Sequence, residues 1–251
     1  MFDGIKKFAL DILFPISCLS CGAPDLWLCP ACLKRIDLLS FQVCPYCEKA
    51  QTASGAICSR CKANFIAKNT PPFLDNMIVA TSYNQANISR LVHAFKYSFV
   101  RDLGFPLSTV ISQAIFDNHL PLPDFIIPVP LHPRRLRWRG FNQAEVLAQD
   151  LSENLSPGLP IPLLNQLVIR KKFTPPQMKI KNYSERKKNM QNSFCLADSC
   201  HPKKETLRNK KILLVDDIST TGSTLLECAK VLKSAGAGRI YAAVIARQEM
   251  K

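Results

Sequence analysis

The 251 residues accommodate one domain of ordinary size and one small one, and with 47% of them hydrophobic a real core forms and wholesale disorder is excluded. Lys and Arg number 33 against 19 acids, a formal net charge of +14, which points to a phosphorylated partner: a nucleotide, a nucleic acid or an anionic membrane surface. The charge is local, because Val168 to Lys211 alone holds 13 Lys and Arg against 3 acids.

Residues 2–14 place Phe2, Ile5, Phe8, Ala9, Ile12 and Leu13 on one helical face, and Pro15 ends that helix. The stripe either docks on the protein's own body or meets a membrane surface or a partner. Lys6, Lys7 and Asp11 break the apolar run, so it does not read as a secretory signal. No stretch reads as a transmembrane helix, and the expected compartment is the cytoplasm. Eight of the 11 Cys then follow before residue 62, as the C-x-x-C pairs Cys18/Cys21, Cys29/Cys32, Cys44/Cys47 and Cys58/Cys61. Without a secretory signal, such pairs read as metal ligands and not as disulfides. Each C-x-x-C turn brings two thiolates to adjacent corners of a tetrahedron about a metal at roughly 2.3 Å. Four pairs therefore make two zinc sites. Neighbouring pairs closing on one another, as in a double zinc ribbon, is one arrangement; first with third and second with fourth is another, and redox dithiols are a different use of the same spacing. A site with four thiolates has no open position for water, so the expected zinc is structural. It is also needed, because a segment this short buries too little apolar surface to fold unaided.

A turn-rich linker at Asn69 to Pro72 leads to a larger unit. MIVATSY (77–83) reads as a strand, and 86–99 and 105–117 as helices, with Lys96 either an exposed helix lysine or one that faces the site. FIIPVPL (125–131) reads as a buried strand, followed by a cationic turn containing Arg134, Arg135, Arg137 and Arg139. Residues 140–154 read as a helix and 163–170 as a strand. The basic segment 171–192, interrupted by Pro175 and Pro176, reads as a loop able to close over a site. Cys195 and Cys200, beside His201, read as ordinary cysteines. KILLVDDI (211–218) is a strand, 222–235 a helix with Cys228 in the core, and RIYAAVIA (239–246) a last strand. Alternating strands and helices predict a parallel, doubly wound α/β sheet.

The most informative stretch is ILLVDDISTTGSTL, Ile212 to Leu225. Asp216 and Asp217 stand at the carboxyl end of a parallel strand, where ligands bind in open α/β sheets. Thr220 to Thr224 then open a helix, whose unpaired N–H groups and dipole favour a phosphate. Gly222 lets the backbone approach closely, and the hydroxyls of Thr220, Thr221, Ser223 and Thr224 add donors. Two carboxylates beside a phosphate site suit ribose hydroxyls, whose protons they accept. There is no G-x-x-x-x-G-K-[ST], so a Walker-type nucleotide loop is not expected. The arginine turn, also after a strand, offers forked donors for a second phosphate.

The segment resembles the ribose-phosphate signature of type I phosphoribosyltransferases, which use phosphoribosyl pyrophosphate (PRPP). Together with PVPLHPRR and RGFNQAE, RKKFTPPQ (170–177), RKKN (186–189) and the cysteine pairs, the chain resembles the ComF family of competence proteins over nearly its whole length. The resemblance implies a parallel-sheet phosphoribosyltransferase-type domain at 73–251 behind an N-terminal helix and double zinc ribbon at 1–68. It puts Asp216 and Asp217 on the ribose hydroxyls at the reacting centre. Thr220, Thr221, Gly222, Ser223 and Thr224 take the 5′-phosphate, and Arg134, Arg135, Arg139, Arg170 and Lys171 face pyrophosphate. It implies Mg²⁺ bridging PRPP oxygens. It also implies a role in natural transformation, handling imported single-stranded DNA at the cytoplasmic side of the inner membrane beside DNA-uptake or recombination proteins. Some relatives are linked to DNA as a nutrient. Two functions stay open: an active transferase moving the pentosyl group from PRPP to an unidentified base, and a binding protein that keeps the fold without turnover. No acceptor-base pocket is legible in the sequence. The basic segment also suits tracking a DNA backbone, although aromatics for base stacking are sparse there (Phe173, Tyr183, Phe194).

Overall fold

The computed structural model describes residues 15–173, 190–197 and 207–248. The apolar stripe at 2–14, most of the basic segment 171–192 and the Cys200/His201 pair lie outside them. In chain order the elements are α1 (Pro30–Leu33), β1 (Gln42–Val43), β2 (Gln51–Thr52), α2 (Ser59–Ala67), β3 (Asn76–Ser82), α3 (Ala86–Tyr97), α4 (Gly104–Asp117) and β4 (Phe125–Pro128). Then come α5 (Pro133–Arg139), α6 (Gln143–Leu155), β5 (Val168–Arg170), β6 (Phe194–Leu196), β7 (Lys211–Ser219), α7 (Ser223–Ser234) and β8 (Arg239–Arg247).

Strands β3, β8, β7 and β4 form one sheet in that order, and every pairing is parallel. The two central strands are apolar almost throughout, as strands covered on both faces must be. Alternate residues of β7 serve opposite cores. Leu213 and Val215 pack with Phe95, Leu107, Ile111, Leu147 and Leu151 from α3, α4 and α6. Ile212 and Leu214 pack with Leu225, Cys228, Ala229 and Leu232 of α7. Cys228 is thus a core residue, fully buried.

Two local assignments differ from the sequence reading. The expected strand 163–170 does not join the main sheet as one element. Leu163 makes a single bridge to Ile126, while β5 pairs antiparallel with β6 in a separate two-stranded ladder. A short apolar run specifies extended backbone without specifying its partner. The arginine segment is not a turn but the helix α5, opened by Pro133 and capped by the His132 ring, which accepts from the Arg134 N–H at 3.2 Å.

The cysteine-rich segment lies along β3, the edge strand. The side chain of Gln42, 2% exposed, acts as a surrogate strand residue. Its Nε2 donates to the Val79 carbonyl at 3.0 Å and its Oε1 accepts from the Val79 N–H at 2.9 Å. The Leu39 N–H donates to Ala80 O, and Ala56 bridges to Asn76. Gly55, at φ +62°, leaves only 2.0 Å between an added Cβ and the Met77 carbonyl oxygen, so only glycine fits this approach. Tyr46 Oη donates to Leu74 O and accepts from the N–H groups of Phe73 and Leu74.

Candidate functional site

The carboxyl ends of β4 and β7 open onto a cavity of about 460 Å³. Asp216 and Asp217 line it from β7, and Thr220 and Thr224 from the loop and first turn of α7. Gly222 caps α7 in the left-handed region, at φ +63°, where a side chain would be strained. The four hydroxyl residues divide the work. Thr221 and Ser223 are buried and bonded to each other, Oγ1 to Oγ at 2.7 Å, which fixes the loop, while Thr220 and Thr224 face the cavity.

Arg134, Arg135, Arg139 and Arg170 line the same cavity, whereas Lys171 and Arg137 are exposed and do not. The RGFNQ element explains how the arginines are held. Gly140 ends α5, and Asn142 caps α6 through the Ala144 N–H while donating to Val129 O at the end of β4. Gln143, 1% exposed, accepts from Arg139 Nη1 at 2.9 Å and donates to the Phe95 carbonyl at 3.2 Å. One amide therefore fixes Arg139 and the end of α3 together. The Arg139 Nε is buried with no hydrogen-bond partner among the described residues, a donor beside the cavity that an anionic ligand would satisfy.

Lys96 takes the second of its two sequence readings and faces the site. It is not a solvent-facing lysine: its Nζ lies 2.9 Å from Asp217 Oδ1, inside the cavity wall. The signal was its position one turn after the buried Val92, on the apolar stripe of α3. Charges crowd here. Burial, then the Asp217 carboxylate beside it, raises Asp216 to about 7 against the pull of Lys96 and Arg170. Burial together with Arg170 and Arg139 lowers Arg135 to about 10, and burial lowers Arg170. Burial and the surrounding arginines lower His132 as well, which favours the neutral ring that caps α5.

Aromatic residues are also more numerous around the site than the basic segment alone indicates. Tyr97 and Phe99 at the end of α3 meet Trp138 of α5, each with ring centroids 6.1 Å from it, and Arg139 lies over the Tyr97 ring at 5.5 Å. Phe99 is 47% and Trp138 60% exposed, and Phe99 holds φ +59°, strained for a non-glycine residue. Of the three aromatics read from the sequence, Phe173 packs against His132 and Arg134, Phe194 is buried, and Tyr183 lies outside the described residues.

The eight N-terminal cysteines form two clusters, Cys18/Cys21/Cys29/Cys32 and Cys44/Cys47/Cys58/Cys61, with all sulfurs of a cluster within 4.8 Å of one another. Neighbouring pairs close on one another, which decides between the two pairings open at the sequence level. A tetrahedron with arms of roughly 2.3 Å has edges of about 3.8 Å. The observed Cys21–Cys29 and Cys47–Cys58 sulfur separations are 3.7 and 3.8 Å. Within each cluster the thiols titrate unequally. Despite burial, backbone N–H groups lower Cys18 and Cys47 to about 6, while sharing with neighbouring sulfurs raises Cys21 to about 11 and, with burial, Cys61 to about 12. Four crowded sulfurs that cannot all ionise together are the donor set a soft divalent cation resolves. Both clusters fit zinc.

The fold and the site define a phosphoribosyltransferase-type parallel-sheet domain joined to an N-terminal module with two four-cysteine sites. The family described as "Phosphoribosyl transferase domain" matches residues 141–251. "Competence protein F" of Haemophilus influenzae is 35% identical over 88% of this chain and 90% of its own length. "DNA utilization protein YhgH" of Escherichia coli strain K12 is 30% identical over 85% of this chain and 87% of its own. "Competence protein ComFC" of Bacillus subtilis is 26% identical over 85% and 80%. The chain belongs to the Competence protein F, or ComF, family.

The raised Asp216 carries a pH signature. An acid whose folded pKa lies above its ordinary 3.8 adds stability below that value, and the contribution is lost as pH rises towards about 7. Asp216→Asn removes the cost of ionisation and is expected to raise the unfolding temperature of the ligand-free protein, by more at about pH 8 than at about pH 5. Equal shifts in calorimetric scans at the two pH values would show that Asp216 titrates normally.

Proposed function

We propose that the chain binds PRPP with Mg²⁺ and serves DNA uptake by handling single-stranded DNA. The observation that carries the ligand reading is one cavity lined by two acids, a helix-opening loop and four arginines. Asp216 and Asp217 accept from the ribose hydroxyls. The loop N–H groups, with Thr220 and Thr224, hold the 5′-phosphate at the start of α7. Arg134, Arg135, Arg139 and Arg170 bind pyrophosphate oxygens, and an anion among them offsets the burial and the mutual repulsion that together lower Arg135. Lys96 positions Asp217 through their ion pair. The carboxylates suit Mg²⁺, which when bound with PRPP would neutralise phosphate charge and take most of its shell from substrate and water.

Calorimetric titration with PRPP and Mg²⁺ is expected to give saturable binding that falls about tenfold or more in the Asp216→Asn/Asp217→Asn double variant. Unchanged affinity in the variant refutes the ribose assignment. Pyrophosphate release with a panel of bases separates a transferase from a binding protein: none, with binding intact, leaves the binding protein.

The DNA reading takes its support from the names of the relatives, from the net charge of +14 and from the exposed Phe99 and Trp138 beside the arginines. Stacking on an aromatic ring contributes about 1–3 kcal/mol per base. Trp138→Ala is therefore expected to weaken oligodeoxynucleotide binding by that order with an unchanged salt slope. Arg137→Ala should lower the slope of log affinity against log salt by about 1. Affinity indifferent to salt in the unmodified protein would rule out the arginine surface as the DNA contact.

The cysteine clusters are proposed to hold one structural zinc ion each. Metal analysis of the purified protein is expected to give two zinc ions per chain, one of them lost in Cys47→Ser/Cys58→Ser. Full folding in a metal-free preparation with eight free thiols would overturn this.

A further inference from the structure

The exposed aromatics and the arginines of the cavity are not separate surfaces. Trp138 lines the cavity and is still 60% exposed, so its ring stands at the mouth. The next residue, Arg139, is buried and lines the same cavity. Tyr97 of α3 meets both. The Arg139 guanidinium lies over its ring at 5.5 Å, and the Trp138 ring centroid is 6.1 Å from its own. With its guanidinium seated on an aromatic face and its Nη1 donating to Gln143 at 2.9 Å, Arg139 has little freedom to serve a ligand elsewhere. A base stacked on Trp138 therefore brings its own sugar-phosphate up to Arg139.

The charges of the cavity decide where that phosphate settles. Asp216 and Asp217 repel a phosphodiester, and the Lys96 ammonium beside them is already paired with Asp217 at 2.9 Å. The arginines attract it, and the buried Nε of Arg139 has no hydrogen-bond partner among the described residues. A pyrophosphate oxygen or a phosphodiester oxygen meets that donor, one group at a time. Resting on the PRPP and single-stranded DNA readings above, we infer that a backbone phosphate of the strand occupies the pyrophosphate subsite, so that PRPP and single-stranded DNA exclude one another. The ribose and 5′-phosphate positions are not shared: the strand meets repulsion at the two carboxylates and stays at the arginines. Exclusion is reciprocal, because each ligand lowers the affinity of the other by the same factor. The concentration of PRPP then sets how much of the protein is open to DNA.

The test follows a fluorescent single-stranded oligodeoxynucleotide on the full-length, metal-loaded protein. Free Mg²⁺ and ionic strength are held fixed, because added salt alone weakens such contacts. PRPP at about ten times its own dissociation constant is expected to weaken oligonucleotide binding about tenfold, and the oligonucleotide to weaken PRPP binding likewise. Inorganic pyrophosphate, which fills the arginine subsite alone, should displace the strand too. Ribose 5-phosphate, which leaves that subsite open, should bind and keep oligonucleotide affinity within about twofold. Unchanged oligonucleotide affinity under saturating PRPP overturns the inference. Displacement by ribose 5-phosphate as strong as by PRPP also overturns it, because the overlap then lies at the phosphate loop and not at the arginines. If calorimetry detects binding of neither PRPP nor ribose 5-phosphate, the ribose-phosphate reading fails. If the oligonucleotide alone does not bind, the DNA reading fails. Either failure takes the inference with it.

Discussion

Gln42 donates to and accepts from Val79 across the open edge of β3, doing with one side chain what a neighbouring strand does with its backbone. A four-stranded parallel sheet has two edges, and an unpaired edge with buried backbone groups is costly and prone to pairing with another chain. Here the edge beside β8 is closed by a module too small to fold on its own hydrophobic burial. Its fixed turns depend on the two cysteine clusters, and the sheet's edge depends on those turns. Tyr46, between Cys44 and Cys47, carries the connection furthest. Burial pushes its hydroxyl up to about 12, so it remains protonated and engages the backbone of Phe73 and Leu74 at the approach to β3.

At the carboxyl ends of β4 and β7 the organising constraint is electrostatic. Four arginines and Lys96 line one cavity with two adjacent carboxylates, an arrangement with excess positive charge. Such a wall is preorganised for an anion: the cations are held by Gln143, by the α5 cap and by aromatic faces, so binding requires little rearrangement. Two acids side by side are likewise expensive to ionise together: Lys96 pairs directly with Asp217, and burial with the neighbouring carboxylate leaves Asp216 raised against the pull of Lys96 and Arg170. A ligand presenting hydroxyls or a hard cation to Asp216 relieves what the protein alone leaves unresolved.

The parts legible in the sequence were those in which ligand-facing residues follow one another along the chain. Ile212 to Leu225 runs as strand, loop and helix, so periodicity and helix-start chemistry locate Asp216, Asp217 and the loop directly. The C-x-x-C spacing identified the cysteine clusters for the same reason, and only their pairing needed coordinates. The place of Lys96 stayed open in the sequence and the Phe99–Trp138 contact was hidden, because each is brought to the site from a distant segment by packing of α3 on α5 and α6. The helix α5 was hidden by its own composition: in seven residues rich in Arg there is no apolar stripe to read, and Pro133 was the remaining sign of a helix start. Strand β5 shows the converse limit. Its residues prefer extended backbone, but their partner, β6, lies beyond the basic segment and nothing local selects it.

These constraints meet at Thr220. It belongs to the loop between β7 and α7, it faces the arginine-lined cavity, and it also borders a second cavity, walled by the second cysteine cluster. The approach is close: Pro45, inside that cluster's first knuckle, places its carbonyl oxygen 3.8 Å from where a Cβ on Gly222 would stand. The knuckle therefore stands beside the β7–α7 loop. The same hydrogen bonds that close the sheet's edge fix how near the knuckle comes. The cysteine module and the phosphoribosyltransferase-type domain thus wall one cavity together, Cys47, Glu48 and Lys49 from the first and Thr220, Arg247 and Gln248 from the second.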